Sequence, residues 1–508
     1  MAWFDRAPVP ALSDDWVYMW DVRHLLSAHQ LAVFPEQSAW GLIQVLWSAV
    51  VTLGHPEPAL LRLSLLPFLI ALGPCSWLLG LEAGASRFWA LVVTGSVLCG
   101  PVLLSMSVGY NTDIAYLALV LGAALFGARW VGGRGGMSAC IILCVLATLQ
   151  RNVGAGAAVA IAATLAFSWR RTPRSRADAI GVVVLAGLVA AAVAAPYLTQ
   201  QASPFMRGAI LSRAFSLRPA IQTGLRFGAT IGLLTVPFGL AALTASRDRR
   251  DRSLLAIAVG ILGLVGVSAA LTGGVNIFEG EILSSAGLGA DPLLGPKPML
   301  YGAWFVVIEL LAASVMLVIL VFRSGLWRRL HRPVHLLLVL TALSQLALPA
   351  ARAPLDRYMV VAVVPLLPLV GALVSRHLRW QVAARGWAVA ALFAGVAVFA
   401  IGEQDLLAWE AARYEAARLA LERSPGLEVQ LGYTANALLV EIPYFDSTGR
   451  LPPDTLPDNP WALRGPLSPT TRLCFATLDD PRPGATYSSL APGRVVVDSV
   501  ASPLPCGV

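Results

Sequence analysis

The chain has 508 residues, 57% of them hydrophobic and only 13% charged, where a soluble globular chain carries about a quarter charged residues. That balance excludes an ordinary soluble core and points to a polytopic membrane protein. The formal net charge is +8, but Lys297 is the only lysine and no basic run is interleaved with stacking aromatics, so no nucleic acid partner is expected.

The first ten residues are too short and polar for the apolar stretch of a cleavable signal peptide. Next comes an acidic, aromatic stretch with Asp14, Asp15, Trp16, Tyr18, Trp20 and Asp21. Ser13 is a suitable N-cap, and carboxylates in the first turn suit the helix dipole. On a helix, Asp14, Tyr18 and Asp21 share one face, and Trp16 and Trp20 share another that fits a membrane interface. This predicts a helix over 14–30 lying on the bilayer with acids held above it. The apolar but short run 35–54 predicts a second interfacial helix.

From residue 57 to 402, about twelve apolar runs long enough for tilted spans follow. They cover 57–81, 87–108, 113–131, 137–151, 153–168, 178–199, 228–246, 253–272, 299–322, 333–350, 358–375 and 387–402. Arginines cluster in alternate loops, for example Arg170, Arg171, Arg174 and Arg176, and Arg323, Arg328, Arg329 and Arg332. Placing these loops in the cytoplasm makes every loop alternate. Residues 1–56, 105–112, the turn at Arg151, 200–227, 273–298, 351–357 and everything from 403 then share the outer face. There 200–227 carries Arg207, Arg213, Arg218 and Arg226 against the usual bias, either as snorkelling interfacial side chains or as an outward basic surface for an anionic ligand such as a lipid phosphate. Both termini are outside, so a thirteenth span before residue 1 is expected. The chain divides into an outer acidic segment 1–56, a membrane domain 57–402 and an extracytoplasmic tail 403–508. In the tail, Glu403–Arg423 reads as an amphipathic helix, and Leu473–Leu478 and Arg494–Val500 read as strands. The expected fold is therefore an all-α polytopic membrane protein with a small α+β tail.

Candidate chemistry falls on that outer face. Asp113 opens a span behind Asn111 and Thr112; it is either a helix cap or a functional intramembrane acid. Arg151 sits alone in a tight turn between Gln150 and Asn152. At Asp356-Arg357-Tyr358, either the two charges pair locally, or Asp356 orients Arg357 and Tyr358 toward a phosphate. Lys297, in the loop 273–298, is a further cation. Cys75, Cys99, Cys140 and Cys144 lie in apolar segments and read as small hydrophobes. Cys474 and Cys506 lie in the tail and could pair in an oxidising compartment.

The order SDDWVYMWDVRHLL (13–26), SVGYNTDIAYLAL (107–119), LQRNVG (149–154) and LDRYMVVAVVPLLP (355–368) resembles the GT-C superfamily of polytopic glycosyltransferases. Within it, the nearest resemblance is to bacterial relatives of protein O-mannosyltransferases and aminoarabinose transferases, over about residues 12–375. The resemblance implies a general base at Asp14 or Asp15, of which Asp15 is preferred, and a second acid at Asp113. It also implies donor-phosphate contacts from Arg151, Arg357 and Tyr358; the residues themselves add Lys297 as a further phosphate-binding candidate and Tyr18, Asp21, Asn111 and Asp356 as supporting groups. The implied activity moves a sugar from a polyprenyl-phosphate carrier to a lipid, glycan or protein acceptor, with inversion, at the outer face of a bacterial inner membrane. A divalent Mg or Mn ion between Asp15 or Asp113 and the phosphate would be compatible, although no ligand cluster demands one. A lipid or saccharide transporter, and a non-catalytic subunit of envelope polysaccharide assembly, are the other classes that these spans fit.

Overall fold

The structure is a computed structural model, and it describes residues 15–35, 37–169, 175–203, 217–245, 283–284, 287–288, 332–351, 356–378, 382–423, 429–430, 437–450, 471–477, 484–487 and 494–500. The expected spans 253–272 and 299–322, and the residues Asp14, Lys297 and Cys506, lie outside the described residues.

Helices α1 (Asp15–Ala28) and α2 (Leu42–Val51) precede the first long apolar element. That element is α3 (Pro58–Leu63) followed by α4 (Leu66–Ala83), which together are apolar and long enough to cross a membrane. Gly84, at φ 96°, closes α4, using the left-handed conformation that a side chain resists.

The expected single span over 87–108 is two helices, α5 (Arg87–Leu98) and α6 (Pro101–Val108), bent by 55°. Pro101 has no N–H to donate and pushes Gly100 into an extended conformation, so the first helix stops and a second starts. Helix α7 (Thr112–Val131) follows, then α8 (Met137–Gln150), a 3-10 turn (Asn152–Gly154), α9 (Ala155–Trp169) and α10 (Arg176–Leu198). A capping box between Ser175 and Asp178 starts α10. Next are α11 (Leu217–Ala245), two short paired strands, β1 (Leu283–Ser284) and β2 (Gly287–Leu288), and α12 (Pro333–Ala351).

Helix α13 (Asp356–Val363) continues through a 3-10 turn (Val364–Leu366) into α14 (Leu367–His377), and the three make one apolar span over Arg357–Arg376. Helix α15 runs unbroken over Val382–Arg423. The segments expected separately at 387–402 and 403–423 are thus one helix. At 1.5 Å per residue its 42 residues reach about 63 Å, twice the hydrocarbon thickness of about 30 Å. Its charged second half therefore stands clear of the membrane core.

Among the described residues, six helices are long and apolar enough to span a membrane, and the bent α5–α6 pair makes a seventh. Helix α7 and the Arg357–Arg376 span are almost entirely buried, whereas α10 and α15 are mostly exposed. Ile180, Val183, Val184 and Leu188 on α10, and Trp387 and Phe393 on α15, present apolar side chains outward. Water disfavours such a surface and lipid accepts it. The architecture is that of an all-α polytopic membrane protein, with two central helices wrapped by others that meet lipid.

After α15 come β3 (Val429–Gln430), a π-helical turn (Ala437–Glu441) and α16 (Ile442–Thr448). Strands β4 (Thr471–Thr477), β5 (Gly484–Tyr487) and β6 (Arg494–Val500) complete a four-stranded sheet ordered β3-β4-β6-β5. Strand β4 lies near the expected 473–478, and β6 spans the residues expected. The sheet rests against α15.

Candidate active site

The acidic stretch does form a helix, but not one floating on a bilayer. Every residue of α1 from Asp15 to Val22 is buried in protein. Trp16 and Trp20 both meet the Phe34 ring edge-on, with centroids 5.2 and 5.3 Å away. The tryptophans read as interfacial anchors are packing residues here.

Asp15 is only 1% exposed. Its Oδ2 accepts a 2.6 Å hydrogen bond from the Tyr110 N–H, ninety-five residues away. Gly109 makes that approach possible: a Cβ there would lie 2.7 Å from Asp15 Oδ2. The Tyr110 hydroxyl donates to Ser48 Oγ at 2.6 Å, and burial pushes its pKa well up. The Tyr110 carbonyl accepts from Gln44 Nε2 at 3.3 Å.

The second acid lies three residues along. Asn111 caps α7, its Oδ1 accepting from the Asp113 N–H at 2.9 Å. The Asp113 carboxylate is fully buried and receives two guanidinium groups. Arg151 approaches Oδ1 to 2.8 Å and donates to Oδ2 at 3.3 Å. Arg357 Nε lies 3.7 Å from Oδ2. Arg151 also donates to Thr112 Oγ1, from Nη2 at 2.9 Å and from Nε at 3.2 Å. Both guanidinium carbons lie 5.2 Å from the centroid of the Tyr358 ring, within cation–π range. Arg357 therefore pairs across the fold with Asp113. Asp356 begins α13, and its side chain lies outside the described residues.

Four consecutive residues, Tyr110 to Asp113, thus touch Asp15 at one end and both arginines at the other. A pair of buried amides fixes this strip. Gln150 Nε2 donates to Gln44 Oε1 and to the Thr112 carbonyl, each at 3.2 Å, and Gln150 Oε1 accepts from the Gln44 N–H at 3.1 Å. Sequence reading gave Gln44 and Tyr110 no role, and used Gln150 only to frame the turn. The available signal was a lone amide within the apolar run 35–54, since a buried amide must find partners. Tyr18 lies against Gly41, where a Cβ would meet the ring at 3.1 Å. Gly41 has φ 63° as well, so glycine is required there twice over.

Asp21 belongs to the same helix. It is 1% exposed, and its Oδ1 accepts from the Phe34 N–H at 3.1 Å. Burial raises its pKa well above the usual 3.8, against the opposing hydrogen bonds from the Phe34 backbone and Gln37. The native state then holds a proton that the unfolded chain has already released, so this group's contribution to stability falls as pH rises above about 4. Asp21→Asn keeps the acceptor and needs no proton. The variant is expected to melt higher than wild type near pH 8, with the gap closing as pH falls toward about 4. Thermal denaturation across that range measures it.

A divalent metal does not fit this donor set. The Asp113 oxygens face Arg151 and Arg357, and among the described residues no three metal-ligating side chains gather. Strand β4 places the backbone of Cys474 in the sheet, and its side chain is outside the described residues.

No family model and no curated protein matches the chain. Two solved structures are similar to it. ArnT from Cupriavidus metallidurans bound to undecaprenyl phosphate matches at 14% identity and a TM-score of 0.46, covering 99% of this chain and 97% of that one. The apo state of the same ArnT matches at 13% identity and a TM-score of 0.44, with the same coverage.

Proposed function

We propose that this protein is a glycosyltransferase that takes a sugar from a polyprenyl-phosphate carrier and passes it to an acceptor hydroxyl. The observation that carries the reading is the meeting of two buried guanidinium groups, Arg151 and Arg357, on Asp113 and Tyr358, one short strip of chain from buried Asp15. Burying a cation is expensive, and a helix start is the wrong end for one, as it is for Arg357 in the first turn of α13. Local rules are broken in this way chiefly where function demands it.

The chemistry follows from the groups. As the glycosidic bond breaks, the leaving phosphate gains negative charge, which two preorganised guanidinium groups can offset. Asp113 holds both arginines, so its role here is positioning. The attacking hydroxyl loses its proton to Asp15, and direct attack opposite the phosphate inverts the anomeric carbon. The positive-inside pattern of the arginine loops supports placing this site on the outer face of an inner membrane.

A polyprenyl phosphate is expected to raise the melting temperature of the purified protein in detergent, whereas the matching polyprenol is not. Equal responses to the two lipids would remove the phosphate from the reading. Flux of an intact lipid-linked sugar in proteoliposomes, without cleavage of the donor, would make the protein a transporter instead.

A further inference from the structure

The mechanism uses nothing beyond residue 402, yet the C-terminal segment reaches α1. The Trp20 indole N–H donates to Asp446 Oδ1 at 2.9 Å across 426 residues of sequence. Phe445 meets the Trp20 ring at 5.6 Å and the Phe34 ring at 5.0 Å, centroid to centroid. Phe34 in turn packs on Trp16 and Trp20, and its N–H is bound by Asp21. Leu438, Leu439 and Ile442 pack against the same core. The segment thus closes over α1 at Trp20, five residues or about one and a half turns from Asp15.

We infer that residues 437–448 are a clamp that positions Asp15 for catalysis. Helix α1 has 14 residues, a length that is marginal in isolation, and its placement must come from what packs on it. Its amino-terminal end is tied by the Asp15–Tyr110 hydrogen bond and its middle by Phe34. Half-buried Phe445 and exposed Asp446 add the last contacts, on the Trp20 side. The inference rests on the reading of Asp15 as the general base. Asp446 and Trp20 are positioning residues: neither is given a contact with substrate.

Four variants test it in the full-length protein. Asp446→Ala removes the acceptor, Asp446→Asn keeps an Oδ1, Trp20→Phe removes only the indole N–H, and Phe445→Ala removes the wedge. Hydrogen exchange of the α1 amides is read beside sugar transfer. Asp446→Ala and Trp20→Phe are each expected to lower kcat about three- to tenfold with the donor KM unchanged, the range one hydrogen bond supports. Asp446→Asn restores the rate, and the Trp20→Phe/Asp446→Ala double variant falls no further than either single one. Exchange in α1 quickens in Asp446→Ala and Phe445→Ala but not in Asp446→Asn. Unchanged α1 exchange in Asp446→Ala and Phe445→Ala overturns the clamp. Faster exchange with kcat unchanged overturns its positioning role. A wild-type protein that transfers no sugar fails the functional reading instead, and the exchange data report the clamp independently of that failure.

Discussion

Asp15→Asn is expected to lower sugar transfer by roughly a hundredfold or more, the range that a general base contributes. An Asn Oδ1 still accepts from the Tyr110 N–H, while the negative charge that faces the Arg62 guanidinium is lost. The capacity to take a proton disappears with it. The loss should fall on kcat, with the donor KM close to wild type, because the groups assigned to the phosphate lie at the other end of the Tyr110–Asp113 strip. Asp14→Asn, made in parallel, separates the two neighbouring carboxylates that the sequence left as alternatives. Transfer within twofold of wild type in Asp15→Asn would take the base away from Asp15.

Arg357→Gln should have an effect of similar size for a different reason. Removing one preorganised donor from a developing anion costs about a hundred- to a thousandfold in rate. It also leaves Asp113 with one guanidinium where two now approach, so lower stability is expected alongside the lost activity. Arg357→Lys separates the two effects. It keeps the charge but loses the planar fork and the stacking on Tyr358, so it should fold and recover only part of the rate. The readout is transfer rate and donor KM, measured with thermal stability for both variants. Arg357→Lys at the wild-type rate would show that charge alone suffices. Arg357→Gln at that rate would remove the residue from the donor site.

Much of the architecture is legible in the sequence because a bilayer imposes one coarse rule, apolar length, that survives without any tertiary knowledge. The spans beginning at Thr112, Arg176 and Arg357 can be read to within two residues. The same rule erases finer signals. Gly100-Pro101 announces a break inside 87–108, yet the whole run is apolar and reads as one span. Trp16 and Trp20 could have served a headgroup layer or a protein core, and composition cannot distinguish the two. For the site, the arginines and acids stand out because charge is rare in this chain. Gln44 does not, since an amide in an apolar run becomes meaningful only when Gln150 is seen opposite it. The docking of Phe445 on Trp20 was beyond reach, as no periodicity links residues that far apart.

The polypeptide begins a new helical segment at Thr112, at Asn152 and at Asp356, and all three beginnings lie beside the Asp113–Arg151–Arg357 cluster. Each presents the positive end of its peptide dipoles. That part of the field belongs to the backbone and persists when side chains are exchanged. Being enclosed by protein, it is also poorly reached by dissolved counterions. An anionic headgroup seated there would be held nearly as firmly in brine as in dilute buffer, unlike one captured by surface arginines.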